Sequence, residues 1–248
     1  MKNIKIEFSY DGREFYGLQK QNDKITIQGE IERALKELFN QDINLIIAGR
    51  TDRGVSAYKM VANFFVNTNI ESEKICYSLN VRLNSSIRIL KSTEVESDFH
   101  ARHSAKLKTY KYSLYVNNFS LPLFPFETHF KTKLSYFKMK RAINYLKGTH
   151  DFSSFVTKSN EIENKVRTIK KVKLKRKKYQ GIYHYYFYFT GNGFLYNQVR
   201  TMVGTLMLVG LNKIKPFEIK KIIREKNRSK AGSVMPAVGL CLENIEYR

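Results

Sequence analysis

The stretch from Ala48 to Ala57 contains the residues of this chain that are best suited to chemistry. It follows Ile43-Asn44-Leu45-Ile46-Ile47, which predicts a short strand, and its glycines predict a turn at the end of that strand. Asp52 lies on the turn between Arg50 and Arg53, whose charges favour the ionised carboxylate, and the flexible backbone lets a ligand approach closely. A carboxylate presented in this way is suited to act as a nucleophile or a base. The alternative is an Asp that accepts hydrogen bonds from turn amides, between two solvated arginines.

A phosphate-binding loop is excluded for the same stretch. Gly49 and Gly54 have the glycine spacing of a Walker A loop, but Val55-Ser56 stands where Lys followed by Ser or Thr is required. No lysine would therefore reach the phosphates of a bound nucleotide, and we do not expect a nucleotide-hydrolysing site.

The charge of the chain points to a polyanionic partner. The sequence has 248 residues, enough for one large domain or two ordinary ones, with 44 Lys and Arg against 22 Asp and Glu, a net charge of +22. Nucleic acid is the first candidate, because each neutralised phosphate releases counterions. An acidic membrane surface or a lysine-rich compositional bias are the alternatives. No apolar run approaches the roughly 18 residues of a membrane span, and Met1–Ile6 lacks a signal-peptide apolar region, so we expect a cytoplasmic protein.

Cysteine and histidine spacing predicts neither a disulfide framework nor a metal site. The cysteines are Cys76 and Cys241 alone, and they show no metal-ligand spacing. His100 and His103 lie three residues apart without a second ligand pair, which favours surface or RNA-facing histidines. We predict no metal and no cofactor.

Hydrophobic periodicity divides the chain into strands and helices. In the first half, Lys2–Tyr10 alternates as a half-buried strand does, and Thr26 is a predicted N-cap of a helix that ends at Phe39. Further predicted elements are strands over 60–66, 86–95, 108–115, 168–174, 182–189 and 239–247, and helices over 71–80, 135–147, 191–210 and 215–226. The strands 168–174 and 182–189 are expected to form a hairpin with the basic run Lys175–Lys178 near its tip, as a solvated tip or as an RNA-backbone contact. His150–Phe155 is expected to be a loop.

Two residues of the second half are chemical candidates. Tyr110 lies at the mouth of a predicted strand beside Lys106, Lys108 and Lys111, so it could stack on a base while its neighbours hold phosphates; a tyrosine packed in the core is the alternative. Arg200 lies in a mostly apolar helix and needs an anionic partner, because an unpaired buried charge costs several kcal/mol. Asp52 is a candidate for that partner.

The order of elements predicts an α+β protein of two similar halves. We expect the first half to cover residues 1–107 and the second residues 108–248, with antiparallel sheets that join around a central basic cleft. Asp52 from the first half and Arg200 from the second would meet in that cleft.

Over its whole length the sequence resembles the tRNA pseudouridine synthases of the TruA type. The resemblance rests on many short motifs in the expected order rather than on one. They are Tyr10-Asp11-Gly12 with Gly17 and Gln19, Thr26 with Gln28-Gly29, Gly49-Arg50-Thr51-Asp52, Phe99-His100-Ala101-Arg102 with Ser104-Ala105, Tyr110-Lys111-Tyr112, His150-Asp151-Phe152 with Ser154-Phe155, Asn192-Gly193-Phe194-Leu195-Tyr196 with Val199-Arg200, Val203-Gly204 and Gly239-Leu240.

The resemblance implies a cofactor-free isomerase that breaks the N1 glycosidic bond of a uridine in RNA, rotates the base and rejoins it through C5. Asp52 matches the catalytic carboxylate, and Arg50 the residue that enters the RNA stack and helps to extrude the target. Tyr110 matches the aromatic residue that stacks on the flipped uracil, and Arg200 the partner that holds Asp52 ionised. The family is homodimeric, and its targets lie at positions 38 to 40 of the tRNA anticodon arm.

The sequence departs from the family pattern at a few positions. Leu18 stands where Trp is usual and Ser56 where His is usual, and the segment 233–235 lacks the usual Pro-Thr. These departures leave open a diverged paralogue that acts on another RNA, such as ribosomal RNA. A non-catalytic RNA-binding module is the alternative from another functional class.

Overall fold

The computed structural model describes residues 1–157 and 163–247. The chain forms two compact units, one made of Met1–Lys106 together with the chain from Cys241 onward, the other made of Leu107–Leu240. Both units combine a largely antiparallel sheet with helices, which confirms the predicted α+β class. The two-domain division at residue 107 stays a prediction.

The helices and strands are named in chain order. They are β1 (Lys2–Tyr10), α1 (Ile27–Phe39), β2 (Ile46–Ile47), β3 (Ser56–Val66), α2 (Ile75–Arg82), β4 (Ile87–Val95), β5 (Leu107–Val116), β6 (Thr128–Phe130), α3 (Tyr136–Ala142), β7 (Gly148–Asp151), β8 (Val166–Tyr179), β9 (Ile182–Gly191), α4 (Gln198–Gly210), α5 (Glu218–Glu225) and β10 (Leu240–Glu246).

The sheet of the first unit has the order β4-β1-β3-β10, and β2 pairs with β3. Strand β1 is antiparallel to both β3 and β4, whereas β10 runs parallel to β3 and pairs Cys241 with Ser56. The alternation predicted for β1 is confirmed, since Ile4, Ile6 and Phe8 are fully buried. These side chains belong to the core of the first unit.

Helix α1 begins where the sequence predicted. The hydroxyl of Thr26 accepts a hydrogen bond from the Gly29 N–H at 3.2 Å, which satisfies one of the free donors of the first turn. Ile27, Ile31, Ala34 and Leu35 form the buried stripe. The loop before it is tied to the helix start, because the Ile27 and Gln28 N–H groups donate to the Gly17 and Leu18 carbonyls at 3.3 and 2.9 Å.

The sheet of the second unit has the order β6-β5-β9-β8-β7. Strands β5, β9 and β8 are antiparallel neighbours, and β8 and β9 form a hairpin closed by Gln180 and Gly181, whose φ values of 45° and 82° are those of a two-residue hairpin turn. Helix α4 is buried along nearly its whole length. It forms the core of this unit with the inward-facing side chains of the sheet, among them Phe187 and Phe189.

Several boundaries differ from the sequence predictions. The strand predicted over 43–47 is reduced to Ile46–Ile47, and Gly148–Asp151 is a short strand where part of a loop was predicted. Helix α4 begins at Gln198 rather than Gly191, because Gly191 still pairs in the sheet and the Asn192 N–H donates to the Thr168 carbonyl at 3.1 Å. Lys175–Lys178 lies within β8 and not at the hairpin tip, since β8 continues to Tyr179.

In the described ranges, 1–157 and 163–247, none of the helices has the length and apolar character that a membrane crossing requires.

Candidate active site

Asp52 lies on a tight turn between β2 and β3. The Val55 N–H donates to the Asp52 carbonyl at 3.1 Å, and Gly54 occupies the third position of this turn with φ of 80°. A turn with a positive φ at that position is of type II, where Gly is the residue without steric penalty. Asp52 is half-buried and Arg50 is exposed. The turn predicted from the two glycines is therefore present.

A second loop holds this turn by its backbone. The Gly12 N–H donates to the Ser56 hydroxyl at 3.1 Å, and the Gly54 N–H donates to the Gly12 carbonyl at 3.2 Å. A Cβ atom on Gly12 would lie 2.0 Å from the Val55 carbonyl oxygen, so no other residue fits there without a backbone shift. Ser56, which replaces the usual His of the resembling family, thus binds the loop that supports the Asp52 turn.

The residues beside Asp52 are fixed by separate contacts. The Thr51 hydroxyl is hydrogen-bonded to the Tyr10 hydroxyl at 2.7 Å, in a buried position. The Arg53 guanidinium lies over the Tyr16 ring, 4.3 Å from its centroid, and the Lys24 ammonium is 4.8 Å from the same ring. Cations attracted to a ring face in this way gain about 0.5–1 kcal/mol at exposed sites. Arg53 therefore contacts Tyr16, whereas Arg50, two residues before Asp52, is exposed.

Asp11, next to Gly12, is an ion-paired carboxylate. Burial raises the pKa of its carboxyl, but hydrogen bonds from the side chain and backbone of Arg13 outweigh that effect and leave the pKa below its usual value. The Arg13 Nη2 atom lies 2.6 Å from Asp11 Oδ2. Asp11 is therefore held in a structural ion pair.

Tyr110 and Tyr112 lie on the same side of β5 in the second unit. The half-buried Tyr110 ring meets Phe194 edge-on, with 5.3 Å between centroids and 83° between planes. Tyr112 is fully buried; its hydroxyl donates to the Pro236 carbonyl at 2.9 Å and lies 2.7 Å from the Thr128 hydroxyl. Burial raises the pKa of Tyr112, opposed by the Thr128 hydrogen bond and the positive charge of Arg200.

Hydrogen bonds to a backbone carbonyl and to a side-chain amide oxygen hold the Arg200 guanidinium near the start of α4. Its Nε donates to the Met235 carbonyl at 2.6 Å and its Nη1 to Asn197 Oδ1 at 2.7 Å. Asn197 precedes the helix in the left-handed conformation, with φ of 59°, and its amide also donates to the Thr157 hydroxyl at 2.8 Å. Asn tolerates this conformation better than most residues. The guanidinium orientation is thus set by a side chain and a backbone carbonyl.

The segment that supplies the Met235 carbonyl is packed tightly on α4. The Gly232 N–H donates to the Thr205 hydroxyl at 2.9 Å, and a Cβ on Gly204 would lie 1.9 Å from the Ser233 carbonyl oxygen. Sequence reasoning missed Asn197 and Met235 as partners of Arg200. The small residues Gly204 and Gly232 are the only sequence signal of this close approach.

The structure groups the predicted site residues by unit. Arg50 and Asp52 lie within one unit, and Tyr110 and Arg200 lie within the other. The Asp52–Arg200 pair and the cleft that would contain it stay predictions. No group of three His, Cys, Asp or Glu side chains among the described residues is arranged to hold a metal ion.

A family model described as tRNA pseudouridine synthase matches residues 7–104 and 142–248. The chain belongs to the tRNA pseudouridine synthase family. Relatives that match over the full length of both chains are named tRNA pseudouridine synthase A in Acetivibrio thermocellus, at 44% identity, and in Clostridium acetobutylicum, at 41% identity. Among solved structures, the crystal structure of a Cbf5-Nop10-Gar1 complex matches 96% of this chain and 57% of that one at 10% identity, with a TM-score of 0.37.

Membership of the tRNA pseudouridine synthase family makes the chain an isomerase. The family match includes the Asp52 turn, the loop around Gly12, and the Arg200 helix. It leaves out residues 105–141, which contain Tyr110, although the full-length relatives cover that range.

Proposed function

We propose that this chain isomerises uridine to pseudouridine at positions 38 to 40 in the anticodon stem-loop of tRNA, with Asp52 as the catalytic carboxylate. The observation that carries the proposal is the backbone support of the Asp52 turn. Gly12 packs against Val55 closely enough to exclude any side chain, and Gly54 gives the turn its conformation. A turn held in this way fixes the backbone from which the carboxylate extends.

The reaction needs no outside atoms. The bond between C1′ and N1 breaks, the uracil rotates within the site, a bond forms between C1′ and C5, and the C5 proton is released to solvent while N1 gains a proton. Asp52 acts on the nucleotide, either as nucleophile or as base. Arg200 keeps the carboxylate ionised and oriented, since its guanidinium is itself fixed by Asn197 and Met235.

The target uridine has to leave the RNA stack before it reaches Asp52. Extrusion costs a few kcal/mol, and least where the stack is already interrupted, as at a stem-loop junction. We assign Arg50 to the vacated space, because it is exposed and two residues from Asp52. We assign Tyr110 to the face of the flipped uracil; its edge-on contact with Phe194 fixes the ring while leaving it half-exposed.

The partners follow from the substrate. A net charge of +22 suits an enzyme that holds a large polyanion. We expect a cytoplasmic homodimer with tRNA lying across both subunits, as in the resembling family.

Tritium release tests the proposed reaction. An anticodon-arm transcript whose uridines carry tritium at C5 should lose tritium to water with the wild type and lose none with Asp52→Asn, although both proteins bind the transcript equally well. Asp42→Asn, the same chemical change at an exposed residue paired with Lys36, serves as the matched control and should release tritium at the wild-type rate. No metal or cofactor is added.

Other outcomes separate the alternatives. Full activity of Asp52→Asn would remove Asp52 from the chemistry. Release from ribosomal RNA fragments but not from the anticodon arm would overturn the tRNA assignment and keep the isomerase. Tight binding of RNA without release from any transcript would favour a non-catalytic binding module.

A further inference from the structure

A row of lysines covers one face of the β8–β9 hairpin. The lysine row consists of Lys171, Lys173, Lys175 and Lys177, which alternate along β8 and are all exposed. Alternate residues of a strand lie on one face, so this row extends over roughly 20 Å. Val172 and Leu174, which lie between lysines of the row, are buried on the opposite face.

Aromatic side chains of β9 lie beside the lysine row. In the antiparallel register Lys173 is opposite Tyr188 and Lys175 is opposite Tyr186. The Lys175 ammonium lies 5.6 Å from the centre of the Tyr188 ring. Rings interleaved with cations are the surface type that holds nucleic acid, since the cations bind phosphates and the rings can stack on bases.

The lysine row lies on the opposite sheet face from Tyr110. Tyr110 pairs with Phe189, and Phe189 pairs with Val172 across the other neighbour, so these three residues share one face. The lysines share the other face with Thr190, Tyr188 and Tyr186. An RNA segment that contacts Tyr110 therefore cannot be the segment that contacts the lysine row.

The strands around this face are rich in cations. The strands β5, β8 and β9 contain ten Lys and Arg residues and no Asp or Glu. The carboxylate of Glu127, beside β9, is engaged by His184 Nδ1 at 2.8 Å and accepts a hydrogen bond from the Tyr186 hydroxyl at 3.2 Å. The charges of Lys171 and Lys175, and a hydrogen bond with Lys171, lower the pKa of Lys173. Crowded like charges of this kind are relieved when an anion binds between them.

We propose that the lysine row binds the phosphate backbone of tRNA outside the hairpin that carries the target uridine. The proposal rests on the proposed function for the identity of the RNA. A second copy of this chain fits the face less well, because two surfaces of a protein with net charge +22 repel each other unless acidic residues are matched to the lysines.

Binding measurements on two RNAs test the proposal. The triple variant Lys171→Gln, Lys173→Gln and Lys175→Gln should bind full-length tRNA transcript more weakly than the wild type. Its plot of log affinity against log salt should be shallower by roughly 2, the contribution of three phosphate contacts. Affinity for an isolated anticodon-arm hairpin, and tritium release from it, should stay at the wild-type level.

Two control variants separate the effect of where the lysines lie from the effect of the charge that they carry. The triple variant Lys213→Gln, Lys220→Gln and Lys221→Gln removes the same charge from exposed residues in and before α5 and should keep the wild-type salt dependence. Replacing Lys171, Lys173 and Lys175 by Arg should retain tRNA affinity, because the charges remain. The Arg variant also shows that substitution of these exposed strand positions is compatible with folding.

The results that would overturn the proposal are specific. Unchanged affinity for full-length tRNA in the Gln variant, or an equal loss in the α5 control, would show that the row makes no specific contact. An equal loss for the isolated hairpin would place the row in the target site instead. A change in oligomeric state, with RNA affinity intact, would assign the row to association of protein copies. If the wild type makes pseudouridine yet the Gln variant binds tRNA normally, only this inference fails, whereas a wild type that binds no tRNA overturns the proposed function as well.

Discussion

At Gly12 the backbone comes so close to Val55 that no side chain fits between them, and the Ser56 hydroxyl completes the contact by accepting the Gly12 N–H. The position of the Asp52 turn thus depends on Gly12, which has no side chain, and on Ser56, which stands where the resembling family usually has His. The motif around Gly12 was recognisable in the sequence. The backbone contact was not, because residues 12 and 55 carry no complementary side chains that would predict it.

Substitution of Gly12 should be damaging, because this residue is buried against the turn that carries Asp52. Gly12→Ala has to move the Val55 carbonyl, and overpacking of this kind costs about 1–3 kcal/mol. We expect a lower free energy of unfolding in urea and a larger loss of tritium release, since the displaced turn carries Asp52. Gly193→Ala is the control, because its Cβ would meet nothing nearer than Arg167 at 3.8 Å. Equal stability of the two variants would contradict the close approach at Gly12.

In the β8–β9 hairpin, strand pairing decides the face on which each basic side chain lies. The sequence predicted both strands but placed Lys175–Lys178 at the tip, since a run of four basic residues is typical of a solvated turn. The structure continues the strand through the run, which sends Lys175 and Lys177 to one face and Arg176 and Lys178 to the other. Arg176 then packs between the Tyr136 and Tyr183 rings, at 4.7 and 4.8 Å from their centres. These contacts of Arg176 with aromatic rings on α3 and β9 outweigh the repulsion among the neighbouring basic residues. Local sequence patterns do not reveal such contacts.

The turn of this hairpin can be improved. Gln180 has φ of 45° and Gly181 follows with φ of 82°, the pattern in which Asn-Gly is the preferred pair. Gln180→Asn should therefore raise the free energy of unfolding by about 0.5 kcal/mol, measured by urea denaturation. Gly181→Val, which places a β-branched side chain at positive φ, should lower it. A Gln180→Asn variant less stable than the wild type would contradict the turn conformation.

At the scale of the whole molecule, buried tyrosines make the fold sensitive to alkali. Burial raises the pKa of Tyr112 and of Tyr247, and burial together with the Glu127 carboxylate raises that of Tyr186 to about 12. In the unfolded chain tyrosines ionise near about pH 10. Between that pH and the folded-state pKa the unfolded state releases protons that the folded state retains. Stability is therefore fully present below about pH 10 and is lost as the pH rises above it.

Tyr112→Phe tests this pH dependence. The variant should be less stable than the wild type at pH 8, because the Pro236 carbonyl and the Thr128 hydroxyl lose a partner, at a cost of about 1–3 kcal/mol. Between pH 10 and 11.5 it should lose less further stability than the wild type, by at most about 1.4 kcal/mol per pH unit. Tyr77→Phe, at a side chain that is 72% exposed, should follow the wild-type profile. Parallel profiles for Tyr112→Phe and wild type would contradict the effect of burial.

Most of the architecture was predictable, and the reason differs between elements. Strand β1 and helix α1 have clear periodicity and, for α1, a Thr26 cap, so both were placed correctly. Helix α4 was predicted seven residues too early, because Gly191 and Asn192 are held by hydrogen bonds to β8 that no local pattern shows. Motif matching selected Asp52, Tyr110, Arg50 and Arg200. It could not select Asn197 and Met235, which act through an amide oxygen and a backbone carbonyl.

The sheet of the first unit is completed only after β10, its last strand in the chain, has been synthesised. Cys241 and Leu242 of β10 pair with Ser56 and Ala57, the first residues of β3. The whole second unit, residues 107–240, lies between β3 and this pairing segment in the chain. On the ribosome, β1, β3 and β4 are made early, but Ser56 and Ala57 of β3 cannot pair with β10 until the second unit has been made. An open strand edge of that kind can pair with another chain. The partly made chain therefore exposes this short stretch of strand edge while residues 107–240 are synthesised, directly beside the turn that carries Asp52.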